Sequence, residues 1–296
     1  MSAELPSPGP RDDRPADVGR LLVRCPDRPG IVAVLSGLMA DAGANIIDSQ
    51  QHSSDPVGGT FTLRLEFFLA DLAGRRQQLE AALALLAQTW QFTWRLTEAA
   101  HRPRLAVFVS RADHVLQELL YRVRAGDLRA EIAAVVSNHP DLEPVARAAG
   151  VPFHHVPVTP ETKAEAEARA LELVGDVDLV VLARYMQIVS ADFCSRFPER
   201  LINIHHSFLP AFVGANPYRA AHDRGVKLIG ATAHYVTAEL DAGPIIDQDV
   251  TRVSHRDEVG DLKRIGRDIE RLVLARAVKA HLDDRVLLDG DRTIVF

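Results

Sequence analysis

Two short segments of the sequence carry side chains that could act together on a carbonyl group. The segment "LINIHHSFLP" delivers Asn203, His205 and His206 at the end of an apolar, strand-like run, and "AELDAGP" carries Asp241. An amide and an imidazole can polarise a carbonyl and stabilise an oxyanion, while a carboxylate can orient the imidazole and help move protons. The residue types therefore predict acid–base chemistry at a carbonyl carbon, provided that folding brings the two segments together.

Each of these residues also has a structural interpretation. A single strand histidine is more often structural than catalytic, and Asp241 precedes Ala-Gly-Pro, where it could satisfy backbone amides in a turn. Asn203 and His205 share a strand face, whereas His206 on the same strand would point to the opposite face. The two histidines are therefore not expected to hold one metal, and no H-E-x-x-H or H-x-x-E-H spacing occurs. For His206, structural hydrogen bonding and catalysis are equally open.

From residue 105 onwards, apolar strands alternate with helices. Strands are predicted at 105–110, 131–137, 177–183, 201–206, 229–236 and 243–250, and helices at 113–124, 141–150 and 161–174. This alternation indicates an open, mostly parallel α/β sheet with a more mixed far edge. Ligands bind outside the carboxyl ends of such strands, so we expect "NIHH", the residues after 183 and the loop after 236 to meet there. His154 and His155 end another strand, and for them a structural role is favoured.

The N-terminal region has a different order of elements. Strands are predicted at 20–26, 44–53, 60–70 and 90–96, and helices at 31–39 and 73–88. In the third strand, Phe61, Leu63, Leu65 and Phe67 alternate with polar residues. The order βαββαβ is that of a ferredoxin-like domain. Residues 97–104 are a plausible linker to the second region.

Composition excludes several classes of protein. A chain of 296 residues has room for two domains, and 47% hydrophobic with 25% charged residues is typical of a globular protein. A formal charge of -6 argues against a nucleic-acid binder. Residues 1–18 are a proline-rich, flexible lead without the apolar region of a signal peptide, and no membrane-spanning run occurs, so we expect a cytoplasmic protein. No G-x-G-x-x-G motif supports a dehydrogenase.

Longer segments around these residues resemble a known family. "INIHHSFLPAFVGANPYRAAHDRGVKLIGATAHYVTAELDAGPII" is similar to the catalytic segment of the formyltransferases that use 10-formyltetrahydrofolate. The flanks "VSRADHVLQELLYR", "VVSNHPDL" and "LVVLARYMQIVS" narrow the resemblance to the formyltetrahydrofolate deformylases, and "CPDRPGIVAVLSGLMADAGANI" resembles an ACT domain. The resemblance implies an ACT-like regulatory domain over 19–98 and a formyltransferase-type catalytic domain over 104–296.

The resemblance also implies an activity and a set of site residues. The reaction is hydrolysis of 10-formyltetrahydrofolate to tetrahydrofolate and formate, which supplies formate for purine synthesis and balances the folate pool; no cofactor or metal is implied. Asn203 would bind the formyl oxygen, a cationic His205 would stabilise the oxyanion, and Asp241 would orient His205 and relay protons. His234 would support the site from the neighbouring strand. The folate ring would dock against Met186, Gln187, Ile188 and Val189.

The ACT resemblance implies regulation and association. Backbone amides of the loop Asp27-Arg28-Pro29-Gly30 could receive the carboxylate of an amino-acid effector, near Asn45, although the same residues could be only a turn and a helix start. ACT-like domains pair edge to edge, so a homo-oligomer, dimer or tetramer, is expected.

Two other functions compete with hydrolysis: formyl transfer to an amine, and a catalytically silent amino-acid sensor that only binds folate. The intact Asn203, His205 and Asp241 argue against the silent sensor. Relatives that act on glycinamide ribonucleotide hold its phosphate in a Gly-rich loop at a helix start. Here that loop is Ser110-Arg111-Ala112-Asp113-His114, without glycine and with Asp113 at the N-cap, which would satisfy the amides itself and repel a phosphate. Water is therefore the expected acceptor, although Arg111 could offset part of that repulsion.

Overall fold

The computed structural model describes residues 16–55, 57–211 and 216–296. Most of the predicted N-terminal lead lies outside these residues. The described residues form two compact units, one within 16–101 together with 283–296, and the other within 102–282. Among the described helices, none combines the length and the apolar character needed to cross a membrane.

The first unit has the predicted βαββαβ order. Its strands form an antiparallel sheet in the order β2-β3-β1-β4, as a ferredoxin-like domain requires. One sheet face packs on both helices, and Phe61, Leu63, Leu65 and Phe67 all lie in that core, as their alternation predicts. The elements are β1 Val18–Pro26, α1 Ile31–Asp41, β2 Asn45–Ser53, β3 Thr60–Phe68, α2 Leu72–Trp90 and β4 Thr93–Glu98.

The second unit is an open α/β sheet of seven strands in the order β11-β10-β9-β8-β5-β6-β7. Strands β5 to β9 are mutually parallel, whereas β10 runs antiparallel to both of its neighbours, β9 and β11, so the predicted mixed far edge is confirmed. The elements are β5 Arg104–Val109, α3 His114–Ala125, β6 Glu131–Ser137, α4 Glu143–Ala148, β7 Phe153–His155, α5 Lys163–Val174, β8 Leu179–Leu182, α6 Ala191–Arg196, β9 Leu201–His205, α7 Pro217–Arg224, β10 Leu228–Tyr235, β11 Ile245–Arg252 and α8 Val259–Leu282.

Helix α8 is an element that the sequence reasoning missed. It packs against β10, β11 and α3. Its apolar residues Leu262, Ile269, Val273 and Leu274 are buried, and their spacing of seven, four and one is a helical signal that was visible in the sequence. The helix matters because it brings Glu270 to the carboxyl-end region of the sheet.

The C-terminal residues 283–296 group with the first unit, whereas the predicted catalytic domain runs from 104 to 296. Strands β12 Val286–Asp289 and β13 Arg292–Val295 form a hairpin, and its two-residue turn Gly290-Asp291 is a hairpin signal that the sequence contains. Just before it, Asp284 meets Arg20 at 3.4 Å and Arg95 at 3.0 Å and accepts a hydrogen bond from Thr97 at 2.6 Å. These charges hold the segment on the β1–β4 surface, where Arg20 is only 4% exposed.

Candidate active site

Strand β9 presents Asn203 and His205 on one face, and β10 supplies the residues opposite them. Asn203 pairs with His234 and His205 pairs with Thr232 in the antiparallel register. His205 is buried, and so is His234. The predicted pairing of an amide and an imidazole on one strand face is therefore present, with a second imidazole beside them.

Asp241 comes to within 3.3 Å of His205, measured from Oδ2 to Nδ1. The hydrogen bond from His205 lowers the pKa of Asp241 below its ordinary value, against the opposing effect of burial, so the carboxylate stays ionised. Asp241 has a left-handed backbone conformation with φ 55°, which is uncommon for a residue other than glycine and is often found at functional sites. The two segments that the sequence singled out thus meet through a contact between an imidazole and a carboxylate.

His234 fixes the orientation of Asn203. Its Nδ1 lies 2.8 Å from the carbonyl oxygen of Tyr235, which can only accept, so this nitrogen carries a proton. Burial lowers the pKa of His234, which favours the neutral ring. Its Nε2 then accepts a hydrogen bond from Asn203 Nδ2 at 3.2 Å. One amide hydrogen of Asn203 is engaged in this way, and the other is left for a substrate oxygen.

A cavity of about 250 Å³ encloses these groups. The buried Nε2 of His205 has no hydrogen-bond partner among the residues that the structure describes, which is unusual for a buried polar atom and suits a group awaiting a ligand. The segment after β8 forms another wall and is anchored where Met186 N donates to Ser110 Oγ at 3.0 Å. All predicted folate-contacting residues line this cavity: Met186, Gln187, Ile188, Val189 and His234.

The loop after β10 reaches this cavity for a different reason from the one predicted. Because β10 is antiparallel to β9, its carboxyl end points away from the carboxyl end of β9, and the strand-end rule does not apply to it. Instead, the loop between Val236 and Pro244 folds back and lays Asp241 on His205. Gly243 allows this return, since a Cβ atom there would lie 1.8 Å from the carbonyl oxygen of Tyr235.

A second cavity, of about 440 Å³, adjoins the first and was not predicted. Arg184 and His206 line both cavities. Glu270, only 1% exposed, accepts hydrogen bonds from His114 Nε2 at 2.8 Å and from the Tyr218 hydroxyl at 2.7 Å. Burial alone would raise the pKa of Glu270, but these hydrogen bonds and the charge of Arg184 hold it below its ordinary value.

The loop of residues 110–114, at the start of α3, differs from its prediction in one respect. Asp113 is the N-cap residue of α3, as expected, but its side chain makes no capping hydrogen bond. Asp113 Oδ2 instead accepts from Gln117 Nε2 at 2.5 Å, because the residue has a helical backbone conformation that turns the carboxylate away from the amides. Asp113 is one of the residues that line the second cavity.

The other histidines take separate places. Strand β9 ends at His205, so the predicted opposite-face geometry does not extend to His206, whose ring lies 5.2 Å from that of His205 and 5.9 Å from that of Tyr218. His154 and His155 lie on the edge strand β7 and line neither cavity. No group of three potential metal ligands occurs within residues 16–55, 57–211 and 216–296.

In the first unit, the structure does not bring Asn45 to the loop of residues 27–30. The register pairs Asn45 with Phe68, whereas the loop follows Pro26, which pairs with Thr60 at the other end of β3. Eight residues of strand separate these ends by roughly 26 Å. Arg28 Nη2 donates to the carbonyl of Thr89 at 3.0 Å, and Gly30 begins α1 with φ 96° and no side-chain cap.

Comparison with known proteins bears on both units. The sequence matches the family described as "Formyl transferase" over residues 103–278 and the family described as "ACT domain" over residues 19–86. It is 54% identical over 282 residues to a formyltetrahydrofolate deformylase of Bacillus subtilis, covering 95% of this chain and 94% of the relative.

Solved structures show the same relation. A formyltetrahydrofolate deformylase from Pseudomonas syringae is 47% identical with a TM-score of 0.90, and 94% of each chain is covered. A glycinamide ribonucleotide transformylase from Symbiobacterium toebii is 36% identical with a TM-score of 0.62, covering 68% of this chain and 98% of that one. The deformylases are covered over both units, and the chain belongs to the formyltetrahydrofolate deformylase family.

Proposed function

We propose that this protein carries out the reaction of its family, the hydrolysis of 10-formyltetrahydrofolate to tetrahydrofolate and formate. One observation carries the assignment of the residues: Asn203, His205 and the ionised Asp241 converge in a cavity whose other wall is the segment 186–189. The folate ring lies against that segment, and the formyl group points to His205.

Catalysis begins with polarisation of the formyl carbonyl. The free amide hydrogen of Asn203 and the unpartnered Nε2–H of His205 donate to the formyl oxygen. These donors are fixed in advance, Asn203 by His234 and His205 by Asp241. Fixed donors stabilise the developing oxyanion without a cost of reorganisation during the reaction.

Water then attacks the formyl carbon. Its oxygen forms the new C–O bond, and one of its protons passes through the His205–Asp241 pair to N10 as the C–N bond breaks. The second proton is released when formic acid ionises to formate. Asp241 keeps the charge of the imidazolium balanced throughout, which is why its ionised state matters.

The experiment is incubation of the purified full-length protein with 10-formyltetrahydrofolate, with assays of formate and tetrahydrofolate. We expect one formate per folate, unchanged by added amines, and unchanged after treatment with a metal chelator, since the mechanism needs no cofactor. Formylated glycinamide ribonucleotide formed at a rate rivalling hydrolysis would instead support formyl transfer. Binding of folate without any formate would support the silent sensor.

The first unit is proposed to bind an amino-acid effector at Asp27-Arg28-Pro29-Gly30. The uncapped start of α1 supports this, because its backbone amides can receive a carboxylate. Screening amino acids against the rate of formate release tests it. Replacing Arg28 with Met should weaken any response, whereas replacing the exposed Arg271 should not.

The role of the formate in purine synthesis stays a prediction. Its test is whether cells that lack the gene become starved of purines.

A homo-oligomer is proposed through the free edge of β2. Within the described residues this strand pairs only with β3, and Ile47 on it is 54% exposed. Free edges readily add a further strand. Native mass spectrometry should give a dimer or tetramer, and the change Ile47→Asp should lower its stability. A monomer at micromolar concentration would contradict the proposal.

A further inference from the structure

Arg184 stands between the folate cavity and the second cavity, and neither the sequence reasoning nor the proposed mechanism gives it a function. It lies two residues after the end of β8 and lines both cavities. Its backbone has φ 63°, a conformation that costs free energy for a residue with a side chain and tends to persist at functional sites. Its side chain is only 17% exposed.

The guanidinium of Arg184 has unused donors. Its Nε lies 3.5 Å from Glu270 Oε2 without hydrogen-bond geometry, because His114 and Tyr218 already donate to the carboxylate at shorter distances. Neither Nε nor Nη1 of Arg184 has a hydrogen-bond partner in the part of the chain that the structure describes. Buried donors without partners are costly, and an oxyanion placed beside Nη1 would give that nitrogen an acceptor.

The second cavity is also cationic. Its two carboxylates are those of Asp113 and Glu270, and Glu270 is engaged by the contacts above. The cationic side chains outnumber them: Arg111, Arg184, Arg219, Lys263 and Arg267. An anion formed next to this cavity is therefore drawn towards it.

The reaction forms such an anion. Hydrolysis converts a neutral formyl group into formate in the folate cavity, which shares Arg184 and His206 with the cationic second cavity. Formate has two equivalent oxygens, which match two N–H groups of one guanidinium. We propose that Arg184 binds the formate product and that the second cavity is a formate subsite through which it leaves, separately from tetrahydrofolate.

The proposal rests on the proposed hydrolysis, but its test does not require turnover. Binding of ¹³C-formate to the full-length protein is followed by NMR line broadening, with and without tetrahydrofolate. We expect formate to bind in both cases. The change Arg184→Met should weaken formate binding about tenfold, as for the loss of a charged hydrogen-bonding partner, and Arg184→Lys should weaken it less.

Two further variants keep the test decisive if Arg184→Met does not fold because buried Glu270 has lost the neighbouring positive charge. Lys263 and Arg267 line the second cavity but not the folate cavity, so Lys263→Met and Arg267→Met should each weaken formate binding a few-fold and leave tetrahydrofolate binding unchanged. Arg271→Met, on the same helix and outside the cavity, is the matched control and should change neither.

Two results would overturn the proposal. One is formate affinity that is unchanged in the Arg184 and Lys263 variants while the protein stays folded. The other is displacement of formate by tetrahydrofolate, which would place both products in the folate cavity. Failure of hydrolysis itself would appear as an absence of formate from 10-formyltetrahydrofolate in the wild-type protein, a separate measurement.

Discussion

Replacing Asp241 with Asn should remove most of the activity while leaving the fold and folate binding intact. The substitution keeps the size of the side chain and removes its charge. Asn also tolerates the left-handed conformation that Asp241 adopts with φ 55°, so the loop should keep its path. Alanine would confound the experiment, because it would lose both the backbone preference and the hydrogen bond.

The magnitude follows from the distance between the two side chains. Opposite unit charges 3.3 Å apart attract by about 5 kcal/mol at an effective dielectric constant of about 20, and by about 1 kcal/mol in bulk water. His205 and Asp241 are 7% and 11% exposed, so the site lies nearer the first limit. Since about 1.4 kcal/mol corresponds to a tenfold change in rate, we expect kcat to fall at least about a hundredfold and at most a few thousandfold.

The assay is steady-state formate release together with folate affinity measured by equilibrium binding. We expect kcat to fall while the folate Kd stays within a few-fold of the wild-type value. Glu172→Gln removes an exposed charge that lines neither cavity, and should change kcat only slightly. Asp241 would have no part in the mechanism if Asp241→Asn kept kcat within a few-fold of wild type. His205→Ala should be comparably severe, and the double variant far from additive.

The remaining predictions concern packing and charge. Gly266→Ala places a Cβ 1.9 Å from the Tyr218 hydroxyl and should destabilise the protein by about 1–3 kcal/mol, whereas Gly260→Ala on the same helix meets nothing and should not; equal melting temperatures would refute the contact. Asp284→Ala should cost about 2–4 kcal/mol in chemical unfolding, because Arg20 is left buried with fewer partners; a loss below about 0.5 kcal/mol would contradict this. Glu270 has a lowered pKa in the folded state, so its stabilisation is present above the unfolded pKa of about 4.3 and is lost as the pH falls through the folded value. The free energy of unfolding of the wild type should therefore fall more steeply below about pH 4 than that of Glu270→Gln. Parallel curves of unfolding free energy against pH would contradict this role of Glu270.

Local patterns in the sequence were enough to predict both architectures. The alternation of Phe61, Leu63, Leu65 and Phe67 has the strand period of two and identifies one buried face. Continuous apolar runs such as "LAVFVS" identify parallel strands buried on both faces. The positions of Asn203 and His205 on one face follow from the same period, so the polar half of the site was predictable from strand geometry alone.

Only the tertiary structure decided what these residues meet. Asp241 reaches His205 because an antiparallel strand and a loop that folds back deliver it, and strand direction is not encoded in hydrophobic period. The contacts of Arg184 and Glu270 depend on where α8 packs. Asp284 joins Arg20 although the two are far apart in sequence. The sequence by itself determined which surfaces are apolar and which side chains can do chemistry, because these are local properties. The partners of each charged side chain were decided by long-range packing alone, because those partners come from distant parts of the sequence that only the fold brings together.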